Sequence, residues 1–270
     1  MKIGFIGCGN MAGAILSGCL RKGFFKPENV MVSEKDEERL SYIINEFGVS
    51  GASDIRELAN FADVILLGVK PQSLPGLLPG VGAAAGDKDT LYISIAAGLS
   101  LARIEEMLRK KAPVIRVMPN LNARICEGVA AVCVNAAVSD SEKQYVTDMF
   151  RAVGIVRELP EELFPVFTAI AGCSPAFTYM YIDALARAAV RLGMNKRQAA
   201  EIAAAAVIGS AKVLAQSEEH AWALIDQVCS PGGSTIEGIA ALQAGRFEAV
   251  ISDAVTASVE KDKRLSACPS

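Results

Sequence analysis

The sequence is poor in the residues that metal sites and hydrolytic active sites need. It contains one histidine, His220, and seven cysteines without a CxxC pair, so it offers no Cys/His cluster of the kind that binds zinc. The histidine stands far from any serine or aspartate motif, which argues against Ser-His-Asp and Cys-His mechanisms. We therefore predict no metal, and the unpaired cysteines indicate reduced thiols and a cytoplasmic protein.

The sequence also lacks a strong charge of either sign. Its 27 basic and 30 acidic residues give a formal net charge of -3, without the polybasic segment that binds nucleic acid or an anionic membrane surface. We predict that its partners are small molecules and other protein chains.

Long apolar segments that would indicate export or membrane insertion are interrupted or carry the wrong residues. Gly7, Gly9 and Asn10 break the apolar stretch that a signal peptide would need at the N-terminus. The uncharged run over 163–182 is long enough to cross a bilayer, but it contains prolines, threonines and tyrosines and has no basic flank. We interpret this run as a buried helix and predict no membrane partner.

Hydrophobic residues make up 51% of the 270 residues, which is enough for the cores of one large or two medium domains. Up to residue 158, short β-branched runs alternate with helical stretches, which is typical of βαβ units. Runs that are apolar on both faces predict a parallel, doubly wound sheet covered by helices over 1–158. The predicted strands are Lys2–Ile6, Val30–Ser33, Val64–Val69, Leu91–Ile95, Val114–Met118, Gly128–Val134 and Ile155–Glu158. The predicted helices follow Asn10, Lys35, Ser53, Pro71, Ser100 and Ser139.

After about residue 160 the sequence becomes rich in alanine and has a helical pattern, which predicts a helical domain over 159–270. Pro175 predicts either a kink or a new helix start with proline in its first turn. The segment 196–215 is small and apolar on nearly every face, which predicts a helix buried between others. Such a small domain cannot bury so much surface alone, so we predict that a second subunit completes it.

The first predicted strand leads directly into a GxGxxA motif that ends at Ala12. In such a loop the first glycine permits a tight turn, the second lets the backbone approach a pyrophosphate, and the small third residue lets the helix pack on the strand. The amino end of the helix then faces the phosphates. The motif predicts a Rossmann domain that binds NAD or NADP in the reduced form, as hydride donor. The predicted contacts in this loop are Gly7, Cys8, Gly9, Asn10 and Met11.

The end of the second strand bears on the choice between the two cofactors. A carboxylate at Glu34 can accept hydrogen bonds from the adenosine ribose of NAD and would repel the 2′-phosphate of NADP. Lys35 argues the other way, and Ser33 suits either cofactor. Both charged side chains could also simply be solvated in a helix-opening turn. The choice stays open, with a lean towards NAD.

Three later strand ends should meet the glycine motif at one edge of the sheet, where open α/β folds bind ligands. Small residues after the Leu91–Ile95 strand would admit a flat nicotinamide ring. Lys70 could bind ribose, steer an anionic substrate or be an ordinary exposed lysine, and Asn120 would place a neutral donor and acceptor near the cleft. The predicted contacts in these segments are Val69, Lys70, Pro71, Ala96, Ala97, Gly98 and Asn120.

The helical half contains one segment with a possible anion site, over 230–237. Ser234 and Glu237 have the spacing of a capping box, which predicts that a helix begins here. Gly232 and Gly233 leave backbone N–H groups uncovered at that helix start, and Ser234 and Thr235 add hydroxyls, so a carboxylate could bind. An ordinary loop and cap is the alternative.

The chemistry follows from the lack of a suitably placed histidine, since the sole histidine, His220, has no acid/base partner nearby in the sequence. A hydroxy-acid dehydrogenase needs an acid/base residue to move the proton of the oxygen, whereas an iminium-like C=N accepts hydride with less acid assistance. A site of hydroxyls and backbone donors could therefore reduce a C=N bond.

At these motifs the sequence resembles the pyrroline-5-carboxylate reductase family along almost the entire chain. The matching segments read GFIGCGNMA, VKP, SIAAG, RVMPN, PAFTYMYIDALA, SPGGSTI and AVTAS. The resemblance implies a Rossmann domain for NAD(P)H, an all-helical dimerisation and substrate domain, and an active site built between subunits of a homodimer or a larger assembly of dimers. It also implies that Gly233, Ser234 and Thr235 hold the carboxylate of 1-pyrroline-5-carboxylate, with the Thr235 hydroxyl near the ring nitrogen. The implied reaction yields L-proline, in the last step of proline biosynthesis.

Two segments depart from the family pattern. The chain has Ala-Gly-Cys-Ser-Pro over 171–175 where the family usually reads S-G-S-G-P, and Met-Pro-Asn-Leu-Asn over 118–122 in place of M-P-N-T-P. These departures could alter the substrate pocket. Cys173 and Cys229 lie beside the two substrate segments without a partner base, and we interpret them as small fillers.

Three alternatives remain at this stage. The first is a reductase of a related cyclic imine. The second is a β-hydroxyacid-type dehydrogenase, which would need a proton-carrying lysine on the first long helix of the second domain, where 163–182 supplies none. The third is a redox sensor that binds NAD(P)H without turnover, although a sensor has no need of a second anion site.

Overall fold

The computed structural model describes residues 1–267, so Cys268 lies outside the described residues. Internal contacts divide the chain into two compact units. The first comprises 1–172 together with the described residues from Val259 onwards, and the second comprises Cys173–Ser258. The predicted division into a dinucleotide-binding domain over 1–158 and a helical domain over 159–270 stays a prediction.

The first unit is built on an eight-stranded sheet with the order β3-β2-β1-β4-β5-β6-β7-β8. Its strands are β1 (Ile3–Ile6), β2 (Val30–Ser33), β3 (Ser50–Gly51), β4 (Val64–Leu67), β5 (Leu91–Ser94), β6 (Val114–Pro119), β7 (Gly128–Val134) and β8 (Gly154–Glu158). All seven predicted strands are present. The sequence pattern missed β3, because a two-residue strand has no periodicity to detect.

The strands β1 to β6 are parallel, as predicted, and their order reverses between β1 and β4. The last two strands correct the prediction of an all-parallel sheet, since β7 pairs antiparallel with β6 while β8 pairs parallel with β7. Only a short 3-10 turn, Leu121–Ile125, separates β6 from β7. A parallel connection needs a crossover of a dozen or more residues, so this short link returns the chain antiparallel.

Helices cover both faces of the sheet because successive strand residues point to opposite sides. Val64 and Leu66 of β4 belong to one buried cluster, whereas Ile65 and Leu67 belong to the other. The helices of this unit are α1 (Asn10–Arg21), α2 (Glu37–Phe47), α3 (Ile55–Phe61), α4 (Leu74–Ala85), α5 (Leu101–Leu108), α6 (Asp140–Arg151) and α7 (Phe164–Phe167). The predicted doubly wound α/β architecture is confirmed.

The short helix α7 anchors the end of the first unit on the sheet. Phe164 is fully buried in a cluster with Ala131 and Cys133 of β7, and the Arg116 guanidinium lies 4.5 Å from the Phe164 ring centre. Arg116 also forms an ion pair of 2.8 Å with Glu161. These contacts fix the chain that leads to the π-helical turn Thr168–Cys173.

The remaining helices are α8 (Ser174–Arg191), α9 (Lys196–Gln216), α10 (Ala221–Val228), α11 (Ser234–Ala244) and α12 (Phe247–Ala267). Pro175 stands in the first turn of α8, the second of the two alternatives that the sequence allowed. The i→i+5 pattern of the preceding π turn makes room for a residue that cannot donate a backbone hydrogen bond.

The helices α8 and α9 pack on each other but leave much apolar surface exposed. The predicted burial of 163–182 and 196–215 is therefore incomplete, since in α9 only Ala199 and Ala203 are buried. The segments 161–191 and 196–216 are long and apolar enough to cross a membrane by length and composition. Of the most apolar 18 residues in each, 22% and 11% are buried. Two such helices are weak evidence for a membrane protein.

Candidate active site

The loop after β1 is a turn that requires glycine at its first position. Gly7 has a φ of +80° and donates a backbone hydrogen bond of 2.8 Å to the carbonyl of Ser33 at the end of β2. A Cβ atom on Gly7 would lie 2.6 Å from Cγ1 of Val69. The loop after β1 is thus held tightly against the ends of β2 and β4.

The third small residue of the motif, Ala12, permits close packing, as the sequence predicts. Gly68 donates to the carbonyl of Ile6 at 2.9 Å, and a Cβ atom on Gly68 would collide with the Gly7 carbonyl and lie 2.8 Å from Cβ of Ala12. A larger residue at either position would push α1 away from the sheet.

The amino end of α1 is open for a ligand. Gly9 is the N-cap and supplies no side-chain hydrogen bond to the first turn, which also contains no acidic residue. The helix begins at Asn10, and the side chain of Met11 is partly buried. Uncapped N–H groups and the positive end of the helix dipole form a site for a diphosphate.

Glu34 is directed at the glycine loop. Its Oε2 accepts a hydrogen bond of 2.9 Å from the backbone N–H of Cys8, and its Oε1 accepts one of 2.8 Å from the N–H of Lys35. The Lys35 side chain is exposed, and Ser33 is partly buried. The structure therefore brings Glu34 next to the predicted loop contacts.

Cys8 lies between the two glycines but is not a nucleophile. Burial, followed by the negative charge of Glu34, raises the pKa of its thiol to about 12, although the positive charge of Arg39 acts in the opposite direction. At neutral pH the side chain is a protonated, buried filler, and only its backbone N–H is available to the loop.

Sequence reasoning missed two arginines beside this loop. A cleft of about 640 Å³ is lined by loop and α1 residues, by Arg39 of α2 and by Arg124 of the turn after β6. The Asp36 carboxylate accepts a hydrogen bond of 3.0 Å from the backbone N–H of Arg39 at the start of α2. This N-cap spacing predicts only where α2 begins, so no sequence signal identifies Arg39 as a neighbour of the loop.

The other predicted cofactor contacts lie at the carboxyl ends of β4 and β5, on the same sheet edge as the glycine loop. The Lys70 side chain is exposed at the start of a 3-10 turn that begins with Pro71, and Val69 packs near Gly7. After β5, Ala96 is buried, Ala97 is exposed and Gly98 has a φ of +77°.

Asn120 is at the same edge, but its amide binds backbone. Its Nδ2 donates a hydrogen bond of 3.0 Å to the Ala171 carbonyl, and its Oδ1 accepts one of 3.0 Å from the N–H of Val129. The side chain is buried and ties β6 to β7 and to the π turn. The two segments that depart from the family pattern thus contact each other through Asn120 and Ala171.

In the second unit, α11 begins at Ser234, as predicted, but without a capping box. Gly233 is the N-cap, so Ser234 is the first helical residue and its hydroxyl does not cap the helix. Gly232 has a φ of +68°, and Gly233 donates a hydrogen bond of 3.0 Å to the Ser230 carbonyl. The first-turn N–H groups therefore lack a side-chain cap, and Ser234 and Thr235 are exposed.

The single histidine has a structural contact. His220 is the N-cap of α10, and its Nδ1 accepts a hydrogen bond of 3.3 Å from the backbone N–H of Trp222. The prediction that no histidine-based acid/base pair operates here stays a prediction. Cys173 and Cys229 are partly buried and unpaired.

Comparisons with protein families match both halves of the chain. Residues 161–265 match the family described as "Pyrroline-5-carboxylate reductase dimerisation". Residues 2–98 match the family described as "NADP oxidoreductase coenzyme F420-dependent". The match over 161–265 covers α9, which is largely exposed in the single chain.

Comparisons with individual proteins extend over the full length. The chain is 38% identical over 265 residues to pyrroline-5-carboxylate reductase of Escherichia coli (strain K12), covering 98% of each chain. It superposes on a pyrroline-5-carboxylate reductase structure from Coxiella burnetii with a TM-score of 0.93 and 30% identity over 99% of both chains. A Plasmodium falciparum pyrroline carboxylate reductase with NADP bound gives a TM-score of 0.88 at 30% identity, covering 99% of this chain and 98% of that one.

Proposed function

Because the chain belongs to the pyrroline-5-carboxylate reductase family, we propose that it reduces 1-pyrroline-5-carboxylate to L-proline with hydride from NADPH or NADH, in the last step of proline biosynthesis. It is an NAD(P)H-dependent oxidoreductase with a Rossmann domain and a dimerisation domain. The single observation that carries the proposal is the uncapped amino end of α1 behind Gly7 and Gly9, which leaves a diphosphate site at the switch point of the sheet.

The residues at this end fit a dinucleotide. A Cβ atom on Gly9 would have only Nη1 of Arg39, at 3.7 Å, within 4 Å, so the backbone there is accessible to a phosphate. The N–H groups that follow Gly9 would bind the diphosphate, and Glu34 would bind the adenosine ribose. Small residues over 96–98 leave room for the nicotinamide, whose reduced ring supplies the hydride.

The amino end of α11 fits the carboxylate of the substrate. We assign this carboxylate to the N–H groups of Gly233, Ser234 and Thr235, with Gly232 providing the left-handed turn that exposes them. The Thr235 hydroxyl would lie near the ring nitrogen and donate a hydrogen bond to the lone pair that forms there during hydride transfer. This assignment is supported by the resemblance of the 230–236 segment and by the absence of a side-chain cap.

The proposed chemistry needs no strong acid or base from the chain. In the iminium form of the substrate, the carbon accepts a hydride while the C=N π electrons become the nitrogen lone pair. The role of the chain is therefore to orient the ring and to restrict water at the reacting carbon. This agrees with the location of His220 in a helix cap.

The comparisons do not favour the alternatives. Neither a β-hydroxyacid-type dehydrogenase nor a redox sensor is among the full-length relatives described above, which carry the reductase name. A related cyclic imine stays open as a further substrate, because the departing segments over 118–122 and 171–175 contact each other. The departures in these two segments could together alter which ring fits the substrate pocket.

The family match over 161–265 supports assembly into an oligomer, and we assign the exposed apolar surface of α8 and α9 to a homodimer or a larger assembly of dimers. A second copy would supply the cover that one chain lacks. The proposed location is the cytoplasm, which the six free cysteines among the described residues support.

The direct test is turnover. The purified protein is incubated with 1-pyrroline-5-carboxylate and either NADH or NADPH, the loss of nicotinamide absorbance is followed, and the product is identified by mass spectrometry. We expect one L-proline for each cofactor oxidised. Tight cofactor binding without oxidation would instead indicate the sensor.

A further inference from the structure

The Glu161 carboxylate joins the start of α5 to the strand β6. Its Oε1 accepts a hydrogen bond of 2.8 Å from the backbone N–H of Leu101, the first residue of α5. The same oxygen accepts a hydrogen bond of 2.8 Å from Nη1 of Arg116 on β6. One carboxylate oxygen therefore binds the amino end of a helix and a side chain of the sheet together.

The start of α5 depends on this contact, because the first turn of the helix contains no acidic residue of its own. The first N–H groups of a helix have no partner within the helix, and a negative charge beside them is stabilising. The Ser100 hydroxyl accepts a hydrogen bond of 3.2 Å from the N–H of Arg103, and Glu161 serves the N–H of Leu101. Glu161 thus supplies from a distant segment the charge that the local sequence lacks.

Arg116 keeps the Glu161 carboxylate in this position. Only 8% of Arg116 is exposed, and its guanidinium also lies over the Phe164 ring. A buried guanidinium needs an anionic partner, since taking its charge out of water is costly. A hydrogen bond between charged groups is about twice as strong as a neutral one. Glu161 is therefore held by a cation that is itself fixed on the sheet.

The start of α5 matters because it follows the segment 96–98, which we propose to contact the nicotinamide. Only Leu99 and Ser100 separate Gly98 from Leu101. Gly98 has a left-handed backbone with a φ of +77°, and Leu99 packs against one of the buried clusters of the sheet. A displacement of Leu101 would therefore be passed to the backbone of 96–98.

The other end of this segment is tied to the sheet next to Arg116. Arg116 pairs in register with Ser94 of β5, which is fully buried. The Ser94 hydroxyl accepts a hydrogen bond of 3.3 Å from the N–H of Ala96. The segment after β5 thus begins at a residue paired with Arg116 and ends at an N–H group bound by the carboxylate that Arg116 holds.

We infer that Glu161 is a positioning residue for the nicotinamide: paired with Arg116, it holds the start of α5 and thereby fixes the segment 96–98 against which the ring lies. The inference rests on the proposed function for the dinucleotide and for the location of its nicotinamide. Glu161 acts through the backbone of Leu101 and needs no contact with the cofactor.

The test separates the nicotinamide from the rest of the cofactor. Isothermal titration calorimetry gives the dissociation constants of the reduced cofactor that binds more tightly, NADH or NADPH, and of ADP-ribose or its 2′-phosphate, which lack the nicotinamide. The ratio of the two constants measures what the ring adds to the affinity. Glu161→Ala weakens binding of the reduced cofactor by about fivefold to tenfold and leaves binding of ADP-ribose unchanged. It also lowers kcat by about tenfold to a hundredfold, because the ring is misplaced.

The alanine variant is expected to fold, and thermal melting checks this. Burial raises the pKa of the Asp262 carboxyl and the positive charge of Arg116 lowers it, so a second carboxylate lies near the guanidinium. Arg116 therefore keeps an anionic neighbour when Glu161 is replaced. If Glu161→Ala nevertheless fails to fold, Glu161→Asp takes its place. It keeps the charge but is one methylene shorter, so it cannot hold both donors and should show the same loss.

Two further variants separate positioning from a general structural effect. Glu161→Gln keeps an oxygen with two acceptor positions for Leu101 and Arg116, so it should recover most of the ratio and of kcat. Glu162→Ala is the matched control, since Glu162 is an exposed glutamate in the same 3-10 turn. It should match the wild type in both affinities and in kcat.

Four results would overturn the inference. They are a wild-type ratio in both Glu161→Ala and Glu161→Asp, an equal loss of affinity for ADP-ribose, no recovery in Glu161→Gln, and the same loss in Glu162→Ala. A wild-type protein that binds the reduced cofactor no more tightly than ADP-ribose also overturns it, since the ring would then not be held. A wild-type protein that binds neither molecule refutes the proposed function itself.

Discussion

At the scale of single residues, Thr235 carries the most specific proposal about the substrate. Replacing it with alanine removes the hydroxyl proposed to bind the ring nitrogen but keeps the backbone N–H and the helix. We expect Thr235→Ala to lower kcat by about tenfold to a hundredfold, as expected for a lost hydrogen bond in the transition state, with little change in cofactor affinity.

The matched control is Thr235→Ser, which retains the hydroxyl and loses only the methyl group. It should keep most of the activity. Steady-state rates with calorimetric cofactor binding check both variants, and equal rates for Thr235→Ala and the wild type would remove this hydroxyl from the mechanism.

Single residues also show what the sequence could and could not reveal. The glycine motif identified the loop and Glu34 because these residue types are dictated by backbone approach to a ligand. Arg39 was missed, since its relevance depends on α2 directing it towards Gly9. Asn120 was predicted as a cofactor contact, which stays a prediction, and its hydrogen bonds to the backbone of Ala171 and Val129 appear only once the strands are assembled.

At the scale of secondary-structure elements, α4 offers an internal comparison of two helical glycines. A Cβ atom on Gly80 would meet no atom within 4 Å, whereas a Cβ atom on Gly82 would collide with the carbonyl of Leu108 at the end of α5. Gly80→Ala should therefore stabilise the protein by up to about 1 kcal/mol, since alanine favours the helix. Gly82→Ala should destabilise it by about 1–3 kcal/mol, because α4 must move away from α5.

Urea unfolding followed by circular dichroism measures both variants against the wild type. The account requires opposite signs for the two changes. Equal effects would mean that the close packing of α4 on α5 does not limit stability.

The elements also separate what local pattern determines from what tertiary context decides. The S-x-x-E pattern forms a capping box at Ser139 and Glu142, but the same pattern at Ser234 and Glu237 does not. At the second place Gly233 is the N-cap, which moves the serine into the first turn. Likewise, the run Gly128–Val134 predicted a strand, but only the length of the preceding link determined that β7 is antiparallel.

At the scale of the whole molecule, the helical unit exposes more apolar surface than a monomeric protein would tolerate. Leu192 is 89% and Met180 77% exposed, and Ile208 in the middle of α9 is 55% exposed. We expect analytical ultracentrifugation to show a dimer or a larger assembly. Ile208→Asp should weaken it, because a buried unpaired charge is costly at an interface.

Asn45→Asp is a suitable control, since it adds the same charge at an exposed position on α2. It should leave the assembly unchanged. A wild-type protein that sediments as a monomer at micromolar concentration would contradict the proposed homodimer.

The sequence predicted the first half of the molecule better than the second for a physical reason. A sheet covered by helices satisfies its own hydrophobic pattern, so strands and core could be located from periodicity. The apolar segments of α8 and α9 predicted burial, but one chain cannot supply the surface that buries them. Their interpretation therefore depended on predicting a second copy.

The central claim is that hydride passes directly from the reduced nicotinamide to the imine carbon of 1-pyrroline-5-carboxylate. Cofactor deuterated at the transferable position tests this most directly, with proline examined by mass spectrometry and NMR. The account predicts one deuterium per proline, on the former imine carbon. Proline without deuterium, or no proline at all, would contradict it.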